Sequence, residues 1–326
     1  MKPSVLIIAD FPNWAYYEIQ QFIKNSLSDK FDVYCDFIIY NSLKKSRNPI
    51  KRIKSLLDKA KYQNIKKDQS YDIVLYLAFY FPQSMNVKWK AKKIIKGIYT
   101  AGFPPKNSGF EGSLEDFTAR FLKDANAVVC GSEMIRDMYK TVHEKVYYAN
   151  GIIDPDLFKR ASEKQVNNSE SFVVGWTGNP NREFKGYYSH VIPAVELAQK
   201  KYPSIQLKSR FFGPIETLPM FYDNVDVAVI ASDADAGPAM FGEAALMEIP
   251  SISTAIGWPH EVIKDNKNGF IINKEITEIA ERLILLYEDR QLLFAMSKQI
   301  RVDYLDVFNK TQMADKWKRM FDDILE

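Results

Sequence analysis

Two carboxylates in the second half of the chain have a spacing that suits hydroxyl binding. Asp235 follows a strand-like run, and Glu243 comes eight residues later, inside a helix predicted to begin at Pro238. Eight residues span about two helical turns, so both side chains are expected to face one cleft. Carboxylate oxygens accept hydrogen bonds from hydroxyl groups. The pattern therefore predicts that Asp235 and Glu243 bind the hydroxyls of a sugar.

The start of that helix is where we expect an anion to bind. The backbone amides of Ala236, Gly237 and Ala239 lie at its N-terminus, whereas Pro238 donates none. Free amides and the helix dipole favour a negative group at this position. In open α/β sheets, ligands bind at the carboxyl ends of the strands. An anion site beside two hydroxyl-binding carboxylates suits a nucleotide-sugar.

The elements around this segment predict two α/β domains in tandem. Short apolar runs alternate with helical patterns in residues 1–153 and again in residues 171–305, which is typical of parallel sheets. Residues 154–170 lose this periodicity and are predicted to form a linker. Residues 306–326 are predicted to form a terminal helix.

Composition excludes several classes of protein. Apolar residues make up 46% and charged residues 26% of the 326 residues, as in globular proteins. The longest apolar run, residues 73–81, is far shorter than the roughly 20 residues of a membrane-spanning helix. The first apolar run is too short for the core of a signal peptide. Cys35 and Cys130 lie in apolar runs, as reduced core thiols do. We therefore expect a cytoplasmic protein.

Charge is distributed unevenly along the chain. Residues 1–150 contain 24 Lys and Arg against 15 Asp and Glu, and much of the excess lies in residues 44–67 and 88–96. A basic surface attracts an anionic membrane, a phosphorylated substrate or a nucleic acid. A solvated helix face is an equally good interpretation of such runs.

The segment from Asp235 to Glu243 resembles the acidic signature of retaining GT-B glycosyltransferases, particularly those of family four. That signature is Glu, seven residues and Glu, and here it is Asp235, AGPAMFG and Glu243. The resemblance implies that Asp235 holds hydroxyls of the donor sugar and that Glu243 holds the ribose. Asp replaces the first Glu, which leaves the sugar preference open. The intervening donor-site residues are Ala236, Gly237, Pro238, Ala239, Met240 and Phe241.

A second segment, residues 173–186, resembles the first strand and loop of the family's donor domain. Arg182 and Lys185 stand where the family has a basic pair on the diphosphate, and Gly178 and Asn179 precede them. Two cations in such a loop make a reasonable diphosphate clamp. Other segments that resemble the family, in the same order along the chain, are 124–139, 145–158 and 257–272.

The resemblance implies a GT-B fold, with two Rossmann-like domains on either side of a cleft. Residues 1–153 would bind the acceptor, residues 171–305 the nucleotide-sugar, and the terminal helix would cross back to the first domain. The implied reaction transfers a sugar from a nucleotide-diphosphate-sugar to a hydroxyl, with retention of configuration.

Metal independence is a further expectation. Asp233 and Asp235 form a D-x-D triplet, which binds Mg²⁺ or Mn²⁺ in GT-A enzymes, but the tandem α/β pattern argues against that fold. Arg182, Lys185 and the helix N-terminus suffice to neutralise a diphosphate. We therefore expect no cofactor and no metal.

The acceptor side carries fewer signals. Trp14 and Tyr17, in a loop without glycine, are candidates for stacking on an acceptor sugar, and packing in the core is the alternative interpretation. The basic stretches 44–67 and 88–96 would suit a lipid-linked saccharide or another cell-surface glycan at the inner face of a membrane. We name no general base.

Two other classes of function stay open. The first is a non-catalytic protein that binds an anionic surface or nucleic acid on a GT-B scaffold, although nucleic acid is not the expected partner. The second is a sugar-nucleotide epimerase, which would need a His, Asp and Glu set in the first domain that the sequence does not offer.

Overall fold

The computed structural model divides the chain into two units. Unit 1 comprises Met1–Ile152 and Lys310–Glu326, and unit 2 comprises Ile153–Asn309. The residues that the structure describes are 1–13, 15–41, 61–66, 69–85, 87–100, 110–160 and 171–326.

Unit 1 is built on a parallel six-stranded sheet in the order β2-β1-β3-β4-β5-β6. Most residues of β1, β3 and β5 are buried, as expected for strands covered by helices on both faces. The strands are β1 (Ser4–Ala9), β2 (Asp32–Phe37), β3 (Tyr71–Tyr76), β4 (Ala91–Ile98), β5 (Ala127–Cys130) and β6 (Val146–Tyr148).

The helices of unit 1 include the end of the chain. The terminal helix packs into this unit, where the Trp317 indole Nε1 donates to the Asn150 carbonyl at 2.7 Å and the Phe321 ring lies 5.4 Å from that of Phe31. The described helices are α1 (Ala15–Leu27), α2 (Ile38–Asn41), α3 (Phe81–Ser84), α4 (Leu114–Phe121), α5 (Glu133–Tyr139) and the terminal α12 (Lys310–Leu325).

The basic stretch 88–96 lies largely in a strand. Strand β4 pairs with β3 and β5 inside the sheet, so its side chains alternate between environments. Lys96 is only 1% exposed, donates to the Phe121 carbonyl at 2.6 Å and forms an ion pair with Asp124. Lys96 therefore adds no charge to the surface, whereas Lys92 is exposed and pairs with Asp72 at 2.7 Å.

Unit 2 is built on a parallel five-stranded sheet in the order β11-β10-β9-β7-β8. Its strands are β7 (Phe172–Thr177), β8 (Ile205–Arg210), β9 (Val227–Ile230), β10 (Ser251–Thr254) and β11 (Phe270–Ile272). Its α-helices are α6 (Ile192–Gln199), α7 (Leu218–Tyr222), α8 (Ala239–Leu246), α9 (Gly257–Val262), α10 (Ile276–Glu288) and α11 (Arg290–Val307). The two parallel sheets with intervening helices confirm the α/β fold class.

Part of the expected linker packs within unit 2. Phe158 is fully buried, and the Arg301 guanidinium donates to the Phe158 carbonyl at 2.9 Å. Residues 161–170 lie outside the described residues. In the described part of the chain, no helix has the length and hydropathy needed to cross a bilayer.

Candidate functional site

The acidic segment lies where the sequence places it, between strand β9 and helix α8 of unit 2. The helix begins at Ala239, one position later than predicted, and Pro238 is its N-cap with φ −65° and ψ 113°. The Asp235 carboxylate turns back on the segment and accepts the Gly237 amide at 3.3 Å. This side chain therefore shapes the loop that precedes the helix.

Glu243 is a buried carboxylate in the middle of α8. It is 6% exposed, and its Oε2 accepts a hydrogen bond of 2.7 Å from the Tyr222 hydroxyl. Burial raises the pKa of Glu243 to about 7, against the lowering effects of the Tyr222 hydrogen bond and of the Lys185 and Arg210 charges. Its other oxygen, Oε1, makes no hydrogen bond to the residues that the structure describes. One oxygen is thus held by Tyr222, and the other is available to accept a hydrogen bond.

Lys185 joins the two carboxylates electrostatically. It ends a 3₁₀ turn, Glu183–Lys185, and its Nζ lies 3.0 Å from Asp235 Oδ2, with both side chains 18% exposed. Its charge also lowers the pKa of Glu243. The fold therefore brings together three of the four predicted catalytic residues, namely Asp235, Glu243 and Lys185.

Arg182, the fourth, is exposed at the start of the same turn. The loop that carries it begins at Gly178, whose φ of +143° favours glycine and whose amide donates to the Arg210 carbonyl at 3.1 Å. Asn179 Oδ1 accepts the Asn181 amide at 3.0 Å. These bonds order the loop. Among the described residues, no contact holds the Arg182 guanidinium in one direction.

The remaining predicted donor-site residues are mostly packed. Ala236, Met240 and Phe241 are buried, and Met240 Sδ accepts the Thr177 amide at 3.3 Å. Ala239, in contrast, is exposed at the first position of α8. The buried side chains of this segment thus pack beneath the start of the helix.

Gly237 is fixed by the ring of Trp258. A Cβ at this position would lie 2.3 Å from Trp258 Cε2, and the indole cannot retreat easily because it is 8% exposed and lies 4.9 Å from the Phe308 ring. Gly257, the first residue of α9 and the one before Trp258, is equally tight, since a Cβ at Gly257 would lie 2.0 Å from the Ala236 carbonyl oxygen.

We predict that Gly237→Ala lowers the free energy of unfolding by about 1–3 kcal/mol, the usual cost of forcing extra atoms into a packed site. Because the Gly237 amide holds Asp235, the affinity for a donor nucleotide should fall as well. Thermal unfolding and nucleotide titration measure both effects. The matched control is Gly151→Ala, whose Cβ would meet its nearest atom at an ordinary 3.4 Å. Equal stability of the two variants would contradict the packing argument.

The two aspartates of the D-x-D triplet form ion pairs with different lysines. Asp233 Oδ1 lies 2.6 Å from Lys274 Nζ, whereas Asp235 pairs with Lys185. Within the described residues, no group of three or more His, Cys, Asp or Glu side chains is arranged to hold a metal ion. Metal independence stays a prediction.

The predicted acceptor residues of unit 1 are only partly described. The Tyr17 ring packs against Phe37 at 6.2 Å and Tyr62 at 5.8 Å, so it is engaged in packing within the unit. Trp14 lies outside the described residues, as do residues 44–60 and 67 of the first basic stretch. The acceptor roles of Trp14 and Tyr17 stay predictions.

Tyr222 is the residue that sequence reasoning missed. It ends the short helix α7, is fully buried, and contacts Thr177 Oγ1 at 3.1 Å as well as Glu243. No motif signals it, because a tyrosine in an apolar run reads as core. Its contact with Glu243 depends on the packing of α7 beside α8, which the sequence does not reveal.

Part of the chain matches a family model, and its fold is similar to that of solved structures. The family model described as glycosyl transferases group 1 matches residues 158–303, and no curated protein sequence matches the chain. S. aureus TarM, solved with fondaparinux, alpha-GlcNAc-glycerol and UDP, is 17% identical with a TM-score of 0.60 over 76% of this chain and 55% of TarM. Anabaena HepE, solved with UDP, is 13% identical with a TM-score of 0.68 over 99% of this chain and 100% of HepE.

A third neighbour is sucrose-phosphate synthase from Thermosynechococcus elongatus, which is 14% identical with a TM-score of 0.68 over 99% of each chain. This chain thus spans about half the length of TarM but the full length of the other two proteins. The neighbours confirm the GT-B fold. The match to the model of glycosyl transferases group 1 lies within unit 2.

Proposed function

We propose that this protein transfers a sugar from a nucleoside-diphosphate-sugar to a hydroxyl acceptor. The observation that carries the proposal is Glu243, a nearly buried carboxylate with one oxygen held by Tyr222 and the other left without a partner among the described residues. Burying an ionisable group without full hydrogen bonding is costly, so such a group is a strong candidate for ligand binding.

In this proposal each side chain binds a different part of the donor. Glu243 accepts hydrogen bonds from the ribose hydroxyls, and Asp235 orients the hydroxyls of the transferred sugar. Lys185 and Arg182 bind the diphosphate and stabilise the charge that grows on it as the bond to the sugar breaks. Lys185, paired with Asp235 at 3.0 Å, already stands beside the carboxylate that would hold the sugar.

Uracil is the donor base that we propose first. The solved structures of TarM and HepE carry UDP, and a further neighbour, the pneumococcal O-GlcNAc transferase GtfA, was solved with UDP and GlcNAc. The proposal extends this ligand to the present chain on the strength of the shared fold and the family match of unit 2.

Four finer features belong to the proposal. Retention of configuration rests on the resemblance to family four, and independence from metal rests on the cations near the diphosphate site. A glycan or lipid-linked saccharide is proposed as the acceptor. We place the protein in the cytoplasm, in peripheral contact with an anionic membrane. That contact would use the exposed lysines of residues 88–92 and the basic stretch 44–67.

The experiment is a donor screen with the purified 326-residue chain. UDP-glucose, UDP-galactose, UDP-GlcNAc, GDP-mannose and ADP-glucose are incubated with the protein in EDTA, and release of the nucleoside diphosphate is measured by chromatography. We expect one UDP-sugar to be consumed, slowly with water and faster with a saccharide acceptor. NMR of the product's anomeric proton then tests retention.

Two results would contradict the proposal. Absence of binding to every nucleotide, with salt-sensitive binding to DNA or vesicles, would favour the non-catalytic alternative. Conversion of a UDP-sugar to its epimer without transfer would favour the epimerase alternative.

A further inference from the structure

A chain of hydrogen bonds runs through the interior of unit 2 to Glu243. Thr177 Oγ1, at the end of β7, lies 3.1 Å from the Tyr222 hydroxyl, which lies 2.7 Å from Glu243 Oε2. Tyr222 is fully buried and Glu243 is nearly so. The two side chains come from different helices, so their contact fixes one helix against the other.

The direction of these bonds follows from the number of protons. A phenol has one proton to donate, and an ionised carboxylate only accepts. Tyr222 therefore donates to Glu243, and Thr177 donates to Tyr222. This order fixes Oε2 and leaves Oε1 as the oxygen for a ligand.

Three groups from three elements act on the Glu243 carboxyl. The Tyr222 hydroxyl of α7, the Lys185 ammonium of the 3₁₀ turn and the Arg210 guanidinium at the end of β8 favour its ionised form, and they oppose burial, which raises its pKa to about 7. The Tyr304 phenol of α11 faces the same region, and its own pKa is raised by burial and by Glu243.

We propose that Tyr222 is a positioning residue of the donor site, whose hydroxyl holds one oxygen of Glu243 so that the other is presented, ionised, to the ribose. This inference rests on the proposed function of Glu243. It makes the affinity for the donor nucleotide depend on pH near neutrality, because a protonated carboxyl accepts fewer hydrogen bonds from hydroxyl groups.

Tyr304 offers a matched control. It is also fully buried beside α8, and a Cβ on Gly242 would lie 2.5 Å from its hydroxyl. Its hydroxyl has no hydrogen-bond partner among the described residues. Tyr304→Phe therefore removes a buried phenol near Glu243 without removing a bond to it.

The experiment is calorimetric titration of the full chain with UDP between pH 6 and 9, in the wild type, Tyr222→Phe and Tyr304→Phe. The UDP phosphate itself titrates near pH 6 in every case, so the comparison is between variants. We expect wild-type affinity to rise through pH 7. In Tyr222→Phe the rise should move to higher pH, with affinity about tenfold weaker at pH 7.5. Tyr304→Phe should follow the wild type within twofold.

A second ligand separates positioning from general loosening. Removing the ribose hydroxyls, in 2′,3′-dideoxy-UDP, should weaken binding to the wild type far more than binding to Tyr222→Phe. Equal pH profiles for wild type and Tyr222→Phe, or equal shifts in both tyrosine variants, would overturn the inference while UDP binding itself upheld the proposed function. A wild type that binds no nucleotide would overturn both.

Discussion

Replacement of Glu243 by Gln should remove about 99% of the affinity for UDP without lowering stability. The carboxylate is expected to accept charge-assisted hydrogen bonds from the ribose, each contributing about 1.5–3 kcal/mol. A neutral amide of the same shape loses most of that energy, and a hundredfold loss corresponds to about 2.7 kcal/mol. Calorimetric titration with UDP at pH 8 measures it.

The free energy of unfolding should rise in Glu243→Gln, because the folded protein resists ionisation of Glu243. Its pKa is about 7 when folded, against 4.5 as the ordinary value. The folded state thus holds the proton more tightly than the unfolded chain, so the free energy of unfolding falls as pH rises from 4.5 to 7. Above pH 7, the ionised Glu243 lowers the free energy of unfolding by about 3 kcal/mol. Gln has no charge and does not carry this cost.

The control for this variant is Glu196→Gln, an exposed glutamate on α6. It should change neither UDP affinity nor melting temperature measurably. Loss of affinity together with loss of stability in Glu243→Gln would mean that the carboxylate supports the fold rather than the ligand, which would contradict the account.

Replacement of Lys185 by Met should lower kcat/KM for the donor sugar about 1,000-fold. A cation aimed at developing charge in a transition state typically contributes 10²–10³ in rate. The substitution also leaves the Asp235 carboxylate without its partner at 3.0 Å. Most of the loss should appear in kcat, since the charge on the leaving diphosphate grows during the reaction. Steady-state release of UDP measures it.

A neighbouring ion pair supplies the matched control. Lys274 pairs with Asp233 at 2.6 Å, and its side chain is 20% exposed, close to the 18% of Lys185. Lys274→Met removes the same chemistry next to the site and should change kcat/KM less than threefold. Similar losses in the two variants would mean that charge in this region acts without regard to position.

The fold class was predictable because the apolar runs of parallel strands are local features of the sequence. The ends of the strands were harder to predict. The run 71–81 reads as one strand, yet β3 ends at Tyr76 because the following residues turn into α3. The basic stretch 88–96 gave no sign that Lys96 would be buried against Asp124, a contact between residues 28 positions apart.

The site was predictable where its residues share one segment. Asp235 and Glu243 stand on one loop and helix, so their spacing carries information. The contacts of Tyr222 with Glu243 and of Gly237 with Trp258 join separate elements, and each depends on how those elements pack. Neither leaves a periodic signal in the sequence.

The central claim is that the Glu243 carboxylate holds the ribose of the donor. The most direct test is a double-mutant cycle, in which UDP and 2′,3′-dideoxy-UDP are titrated into the wild type and Glu243→Gln at pH 8. The account predicts that either change alone weakens binding about 100-fold and that the second change adds almost nothing to the first. Independent, additive losses would show that the ribose hydroxyls and Glu243 do not interact.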